Sequence, residues 1–368
     1  MRKHLAKAAY WLGVVIFVPL AVELLLRLIA VDPFYYWQYR FQFMSPNVLQ
    51  NRGEGVWTYR PHSAIREVAV YGLPSGFSKQ PRLTVEFDCR MRSNNLGLLG
   101  DDDVLPGTPV TLVLGDSFTT GQGGCPWFPR LQARRPQDKL LNAGLIGTGV
   151  DQWWRLLDLL RKQGVRIDRV LIVGISNDFK RKAWNWTDAD LDCINNGNCV
   201  IEGSYAWQGV RADETQDELI ARTRERYAKR YGHYSIWSFG GLHLEHHSMF
   251  LKFVHTAIDN VAAMLKAARA GPPANTDAAL GAFKALGVPV KVLMVNQRNE
   301  VGALGNEADA KAAEAMLAKH GLPFTWCRLN ETDYLAIDGH PTSAGYDKVV
   351  ACADQALDGL EGRRAGGD

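Results

Sequence analysis

The chain has 368 residues, 46% hydrophobic and 22% charged, which is room for one large domain with an appendage or for two domains. That balance excludes intrinsic disorder and leaves an ample core. A formal net charge of +3 with no long Lys/Arg block excludes nucleic acid as the evident partner.

Arg2, Lys3 and Lys7 open the chain, followed by the charge-free stretch Ala8 to Val22 and the largely apolar Glu23 to Val31. About 20 apolar residues span a bilayer as a helix, so residues 1–31 read as a membrane-spanning segment. Glu23 and Arg27, four apart, share a helix face and can pair near one interface. No small-residue cleavage site follows, which favours an uncleaved signal anchor over a signal peptide. Basic residues ahead of the span predict a single-pass inner-membrane protein with its bulk in the periplasm or another extracytoplasmic space.

That compartment permits disulfides. Of the six cysteines, Cys193 and Cys199 flank Asn195-Asn196-Gly197, a turn that would bring them together. Cys89 with Cys125, and Cys327 with Cys352, are further candidate pairs; buried thiols are the alternative for each.

Residues 32–108 read as a linker and peripheral layer. It starts with the aromatic cluster Asp32 to Tyr39, suited to a membrane interface, and includes the alternating strand Arg82 to Asp88. From residue 109 to about 360 the pattern becomes strand–helix repeats. Strands are predicted at Val110–Leu114, Lys139–Gly144, Val170–Ile175, Val288–Asn296 and Pro323–Leu329. Helices are predicted at Val150–Gln163, Glu307–His320 and Pro341–Leu360. Such alternation means an α/β fold whose parallel sheet is covered on both faces.

An insertion at about 179–247 carries Trp184, Trp186, Trp207 and Trp237 and a polar helix over Thr215–Tyr231; a further helix is predicted over Met249–Arg269. Trp184 and Trp186 could stack on sugar rings as a cap over the sheet edge, or fill a satellite core beneath a long loop.

The run Val110–Leu114 feeds directly into Gly115-Asp116-Ser117. A serine at the carboxyl end of a buried parallel strand sits where open α/β sheets bind ligands. By itself it could be a helix cap. Three other segments reach comparable positions: the loop Gly144-Leu145-Ile146-Gly147, Ser176-Asn177-Asp178, and Ile337 to Pro341 just ahead of the last helix. Together they supply a hydroxyl nucleophile, oxyanion donors and an acid–imidazole pair, the set that acyl transfer through serine needs. His340 would take the proton of Ser117 and Asp338 would orient the imidazole, with Asp333 as the other acid in reach. The N–H groups of Ser117 and Gly144 and the amide of Asn177 would receive the oxyanion.

In these four blocks, taken in order, the chain resembles the GDSL/SGNH hydrolases. Gly115-Asp116-Ser117-Phe118-Thr119 matches the first block, Asn142-Ala143-Gly144 with Gly147 the glycine block, Gly174 to Asp178 the asparagine block and Asp338 to Pro341 the last. Asn94-Asn95-Leu96-Gly97 is similar to a segment ahead of the first block in membrane-anchored bacterial members. The resemblance implies a flavodoxin-like three-layer α/β/α sandwich and serine esterase activity without a cofactor or metal. With the anchor and the tryptophans, it implies O-acyl, chiefly O-acetyl, esters on a cell-envelope glycan as substrate. A glycan O-acetyltransferase of the same fold, or a catalytically silent envelope-binding scaffold, are the alternatives. No protein partner is implied.

Overall fold

The computed structural model describes residues 2–28, 39–73, 82–180, 186–200, 206–231, 238–239, 242–243, scattered positions from 248 to 258, 274–301 and 307–361. The expected aromatic cluster at 32–38, Trp184, Trp237 and most of the expected helix 249–269 lie outside them. By its contacts the chain divides into two compact units, one of residues 1–40, 70–84 and 215–269, the other of residues 41–69, 85–214 and 270–368.

The first unit contains helix α1 (Arg2–Leu28). The Glu23 carboxylate there accepts hydrogen bonds from the Ser248 hydroxyl at 2.9 Å and the Phe250 N–H at 2.8 Å. The expected membrane span is corrected: among the described residues no helix is long and apolar enough to cross a membrane. Lys7 and Glu23 bound the charge-free run Ala8 to Val22, which falls short of the about 20 residues a span needs.

Five strands come from sequence ahead of residue 109. Strands β1 (Tyr39–Met44), β2 (Leu49–Gly53), β3 (Val56–Tyr59), β4 (Ala64–Leu73) and β5 (Arg82–Arg92) come first. The parallel strands, helices and turns follow as β6 (Pro109–Gly115), α2 (Ser117–Thr120), α3 (Phe128–Arg134), β7 (Leu140–Gly144), α4 (Val150–Lys162) and β8 (Arg166–Ile175). Next are α5 (Asp188–Asn195), β9 (Asn198–Val200) and β10 (Ala206–Gly209). The first unit supplies α6 (Gln216–Tyr231) and the short antiparallel pair β11 (Ser238–Phe239) and β12 (Leu242–His243). The chain closes with α7 (Ala274–Lys284), β13 (Val290–Val295), α8 (Ala308–Lys319), β14 (Phe324–Cys327) and α9 (Ser343–Glu361).

The central sheet has the order β7-β6-β8-β13-β14, with every described pairing parallel. Numbered by appearance, that is 2-1-3-4-5, the doubly wound order with a ligand crevice where the winding reverses, beside β6. Alternate residues of each strand face opposite layers. Leu112, Leu114, Val170, Ile172, Val292 and Met294 pack in one core with Trp153 and Leu157 of α4, Phe283 of α7 and Leu317 of α8. Val113, Leu171, Val173, Leu293 and Val295 pack in the other with Leu131 of α3 and Tyr346, Val350 and Leu357 of α9. Burying each of these aliphatic side chains stabilises the fold by about 1.5–3 kcal/mol.

The second sheet, ordered β5-β4-β1-β10-β9, joins the peripheral layer to the insertion. Strand β1 runs parallel to β10 in the register Phe41↔Ala206 to Met44↔Gly209. The segment between β8 and α6 therefore completes a sheet begun at β1 rather than forming a separate cap. Trp186 is correspondingly a core residue, 5% exposed, its ring 4.6 Å from that of Trp57 and 5.6 Å from that of Trp207. Of the two expectations for Trp186, the core under the long loop is the one observed, and the sugar platform is corrected because the residue is buried.

Cys89 is disulfide-bonded to Cys125 and Cys327 to Cys352. Cys193 is disulfide-bonded as well, while the side chain of Cys199 lies outside the described residues.

Candidate active site

The site begins where β6 ends. A Cβ on Gly115 would lie 1.9 Å from Thr119 Oγ1 and 2.2 Å from the Val173 carbonyl oxygen, so only glycine lets the strand turn this tightly against β8. The Gly115→Ala variant is expected to lose at least about 1–3 kcal/mol from overpacking against backbone, measurable by denaturant unfolding. A wild-type midpoint would refute the tight turn. Asp116, fully buried, caps α2 by accepting the Phe118 N–H at 2.9 Å. The Thr119 hydroxyl donates to the Val173 carbonyl at 2.8 Å and fixes the turn to β8. Gly121 ends the short helix in the left-handed region, φ 96°, its N–H on the Ser117 carbonyl.

His340 arrives from the loop between β14 and α9. That loop is folded back on itself: the Leu335 N–H donates to the His340 carbonyl at 2.8 Å, and the Thr342 N–H to the Asp333 carbonyl at 2.7 Å. Gly339, at φ 80°, makes the reversal that brings Asp338 onto the ring of a histidine two residues later. This is how the short Asp-x-His spacing works.

The imidazole Nε2 of His340 lies 2.8 Å from the Ser117 hydroxyl, and Nδ1 is hydrogen-bonded to the Asp338 carboxylate. The Asp338 side chain is fully buried, whereas Ser117 and His340 keep slight exposure, at 8% and 9%. Phe118 packs beside the imidazole with ring centroids 5.1 Å apart. The arrangement holds Nδ1 as donor and leaves Nε2 to accept the serine proton.

Asp333 is not on the ring. Its carboxylate pairs with Lys348 at 2.6 Å and accepts the Asn330 N–H at 2.7 Å. Burial opposes its ionisation, but Lys348 and that N–H together hold its carboxyl below the usual range.

Two of the expected oxyanion donors, Gly144 and Asn177, have other partners. The Gly144 N–H donates to Asn142 Oδ1 at 2.9 Å, in a side-chain turn two residues long. Gly144 serves close packing instead, since a Cβ there would lie 2.5 Å from the Thr120 nitrogen. Asn142 proves to be a tether: its amide donates to the Thr119 carbonyl at 3.1 Å, and its own carbonyl accepts the Leu99 N–H at 3.0 Å. Asn177 lies in the turn after β8 and donates from its amide to Gln297 Oε1 at 3.0 Å. An amide nitrogen carries a second hydrogen beyond that bond.

Several residues at the site carried no motif. Tyr346 of α9 donates its hydroxyl to the Gln122 carbonyl at 2.9 Å. Burial, with the nearby charges of Asp116 and Glu67, pushes its phenol well above the usual value, so it remains a donor. The Arg298 guanidinium donates to the Leu335 carbonyl at 2.9 Å and to the Ala336 carbonyl at 2.5 Å. Glu86 accepts the Ile337 N–H at 2.8 Å. Their signal lies in tertiary placement, which no local pattern announces.

No protein-family model matches the chain, and neither does any curated protein. Solved structures with likeness include an α/β hydrolase enzyme from the metagenome of Lake Arreo, at 13% identity and TM-score 0.34, covering 70% of this chain and 98% of that one. A lipolytic G-D-S-L family protein from Veillonella parvula shows 12% identity and TM-score 0.32, covering 68% and 99%. An acetylxylan esterase from Geobacillus stearothermophilus shows 12% and 0.30, covering 68% and 94%. At such scores the likeness adds nothing to the chain's own topology. With its serine turn after the first parallel strand and its acid–histidine pair ahead of the last helix, the chain has a doubly wound α/β fold.

Proposed function

We propose that the chain is a serine esterase that cleaves O-acyl esters through an acyl-enzyme on Ser117. The observation that carries this is the 2.8 Å contact between Ser117 Oγ and His340 Nε2, with Asp338 on the opposite ring nitrogen. His340 takes the hydroxyl proton as Ser117 attacks the ester carbonyl, then gives it to the departing alkoxide. A water, activated by the same imidazole, releases the acid. The Ser117 N–H and the second amide hydrogen of Asn177 are the donors assigned to the oxyanion; one such donor is worth about 2.7–4 kcal/mol.

The ester assigned is an O-acetyl group on a cell-envelope glycan, resolved by water. The proposal places the catalytic unit in an oxidising compartment outside the cytoplasm, on the support of the Cys89–Cys125 and Cys327–Cys352 disulfides.

The test is a fluorophosphonate probe on the purified chain, followed by p-nitrophenyl acetate and acetylated glycan oligomers with and without a sugar acceptor. Labelling at Ser117 and acetate release from the glycan are expected. A folded chain that takes no label and hydrolyses neither ester would end the proposal.

A further inference from the structure

Strand β5 begins 35 residues before Ser117 in sequence yet reaches the loops that carry both halves of the catalytic set. On one side, Glu86 Oε1 accepts the N–H of Ile337, the residue immediately before Asp338. On the other, Cys89 is disulfide-bonded to Cys125, in the segment that follows the nucleophile's helix. That segment lies directly against the histidine loop. The Gly124 N–H donates to the Pro341 carbonyl at 2.9 Å, and a Cβ on Gly123 would sit 3.1 Å from the His340 Cβ.

The crossing bonds of the histidine loop close its two ends, at Leu335 with His340 and Asp333 with Thr342, and Arg298 grips the carbonyls of Leu335 and Ala336. Ile337 and Asp338 form the tip beyond those bonds. The Ile337 N–H is a backbone anchor one residue before the carboxylate that must address Nδ1, and its acceptor comes from outside the parallel-sheet layers.

Resting on the esterase reading, we propose that Glu86 is a positioning residue for the Asp338–His340 pair. By accepting the Ile337 N–H, it holds the backbone from which Asp338 reaches the imidazole. Strand β5 thereby keeps the acid–base loop in register with the nucleophile segment, to which Cys89–Cys125 binds it. The role belongs to an acceptor oxygen at one place, not to a negative charge.

Three variants of the full chain test it: Glu86→Ala, Glu86→Gln and Glu86→Asp. Glutamine keeps an acceptor oxygen at the same reach; aspartate keeps the charge but withdraws it by a methylene. Misplacement of a catalytic group costs 10–100-fold, so kcat for p-nitrophenyl acetate should fall about tenfold in the Ala and Asp variants with KM nearly unchanged. Glu86→Gln should stay near wild type. The acid limb of the pH–rate profile should move to lower pH in the Ala and Asp variants, because a poorly placed Asp338 supports the imidazolium less.

A substrate-free readout is the low-field proton resonance of the His340 Nδ1–H, which should broaden in Glu86→Ala and Glu86→Asp and persist in Glu86→Gln. Unchanged kcat and an unchanged resonance in Glu86→Ala and Glu86→Asp would overturn the proposal, as would a Gln variant as impaired as the Asp variant. If the wild-type chain hydrolyses no ester but the resonance follows this pattern, the esterase reading fails and the positioning role stands.

Discussion

Replacing Ser117 with alanine is expected to lower kcat for ester hydrolysis by about 10⁴-fold or more, and to abolish fluorophosphonate labelling. The hydroxyl is the only atom removed, at a residue still 8% exposed, so the thermal midpoint should barely move. His340→Ala should fall to a similar floor, because the imidazole 2.8 Å away is what makes the hydroxyl a competent nucleophile. Residues that act as a unit are non-additive, so the double variant should be no slower than either single one. Steady-state kinetics on the three proteins would show it. Full activity in either single variant would remove the triad.

Asp338→Asn is the second large effect expected, a loss of about 10⁴-fold in kcat with the fold intact. The amide can hold the imidazole in the wrong tautomer and cannot balance its positive charge when Ser117 attacks. Asp333→Asn is the informative contrast, since Asp333 pairs with Lys348 and the Asn330 N–H rather than with the ring. It should keep kcat near wild type and lower stability instead. Its carboxyl is held below the ordinary range, so it contributes stability at neutral pH that fades as pH falls through the depressed value. The stability gap between wild type and Asp333→Asn should therefore narrow in acid. Thermal melts from neutral to acid pH, beside kcat at neutral pH, separate the two aspartates. A kcat loss in Asp333→Asn as deep as that in Asp338→Asn would overturn the assignment.

The parallel-sheet half of the molecule was legible because its strands are buried on both faces. Val110–Leu114 and Val170–Ile175 are unbroken apolar runs, and that signal needs no tertiary knowledge. Asp338 and His340 were legible for a different reason: they are close in sequence, and Gly339 between them announces a reversal. The second sheet was not. Strand β1 alternates from Tyr39 to Phe43, but its partner β10, Ala206 to Gly209, lies beyond three of the four sequence blocks and carries no strand pattern of its own. Trp186 misled because an indole in a long insertion looks like an exposed platform, whereas Trp57 and Trp207 enclose it. Gly144 was expected for its N–H; its value is the missing side chain, which lets β7 lie against the Thr119–Thr120 backbone. Nothing local to the apolar amino-terminal stretch announces the hydrogen bonds that Ser248 and Phe250, far along the chain, give to Glu23.

The sequence separation of 223 between Ser117 and His340 also sets the order in which function can arise. The nucleophile's strand is the first of the parallel sheet to be synthesised, and the histidine loop comes just ahead of the last helix. Contacts this distant in sequence form late, after loop-closure entropy has been met by the packing of the elements between. Throughout synthesis and early collapse the chain therefore carries a serine with no base beside it. On the esterase reading, hydrolytic power would appear only when α9 seats against the sheet, leaving the chain silent until its fold is complete.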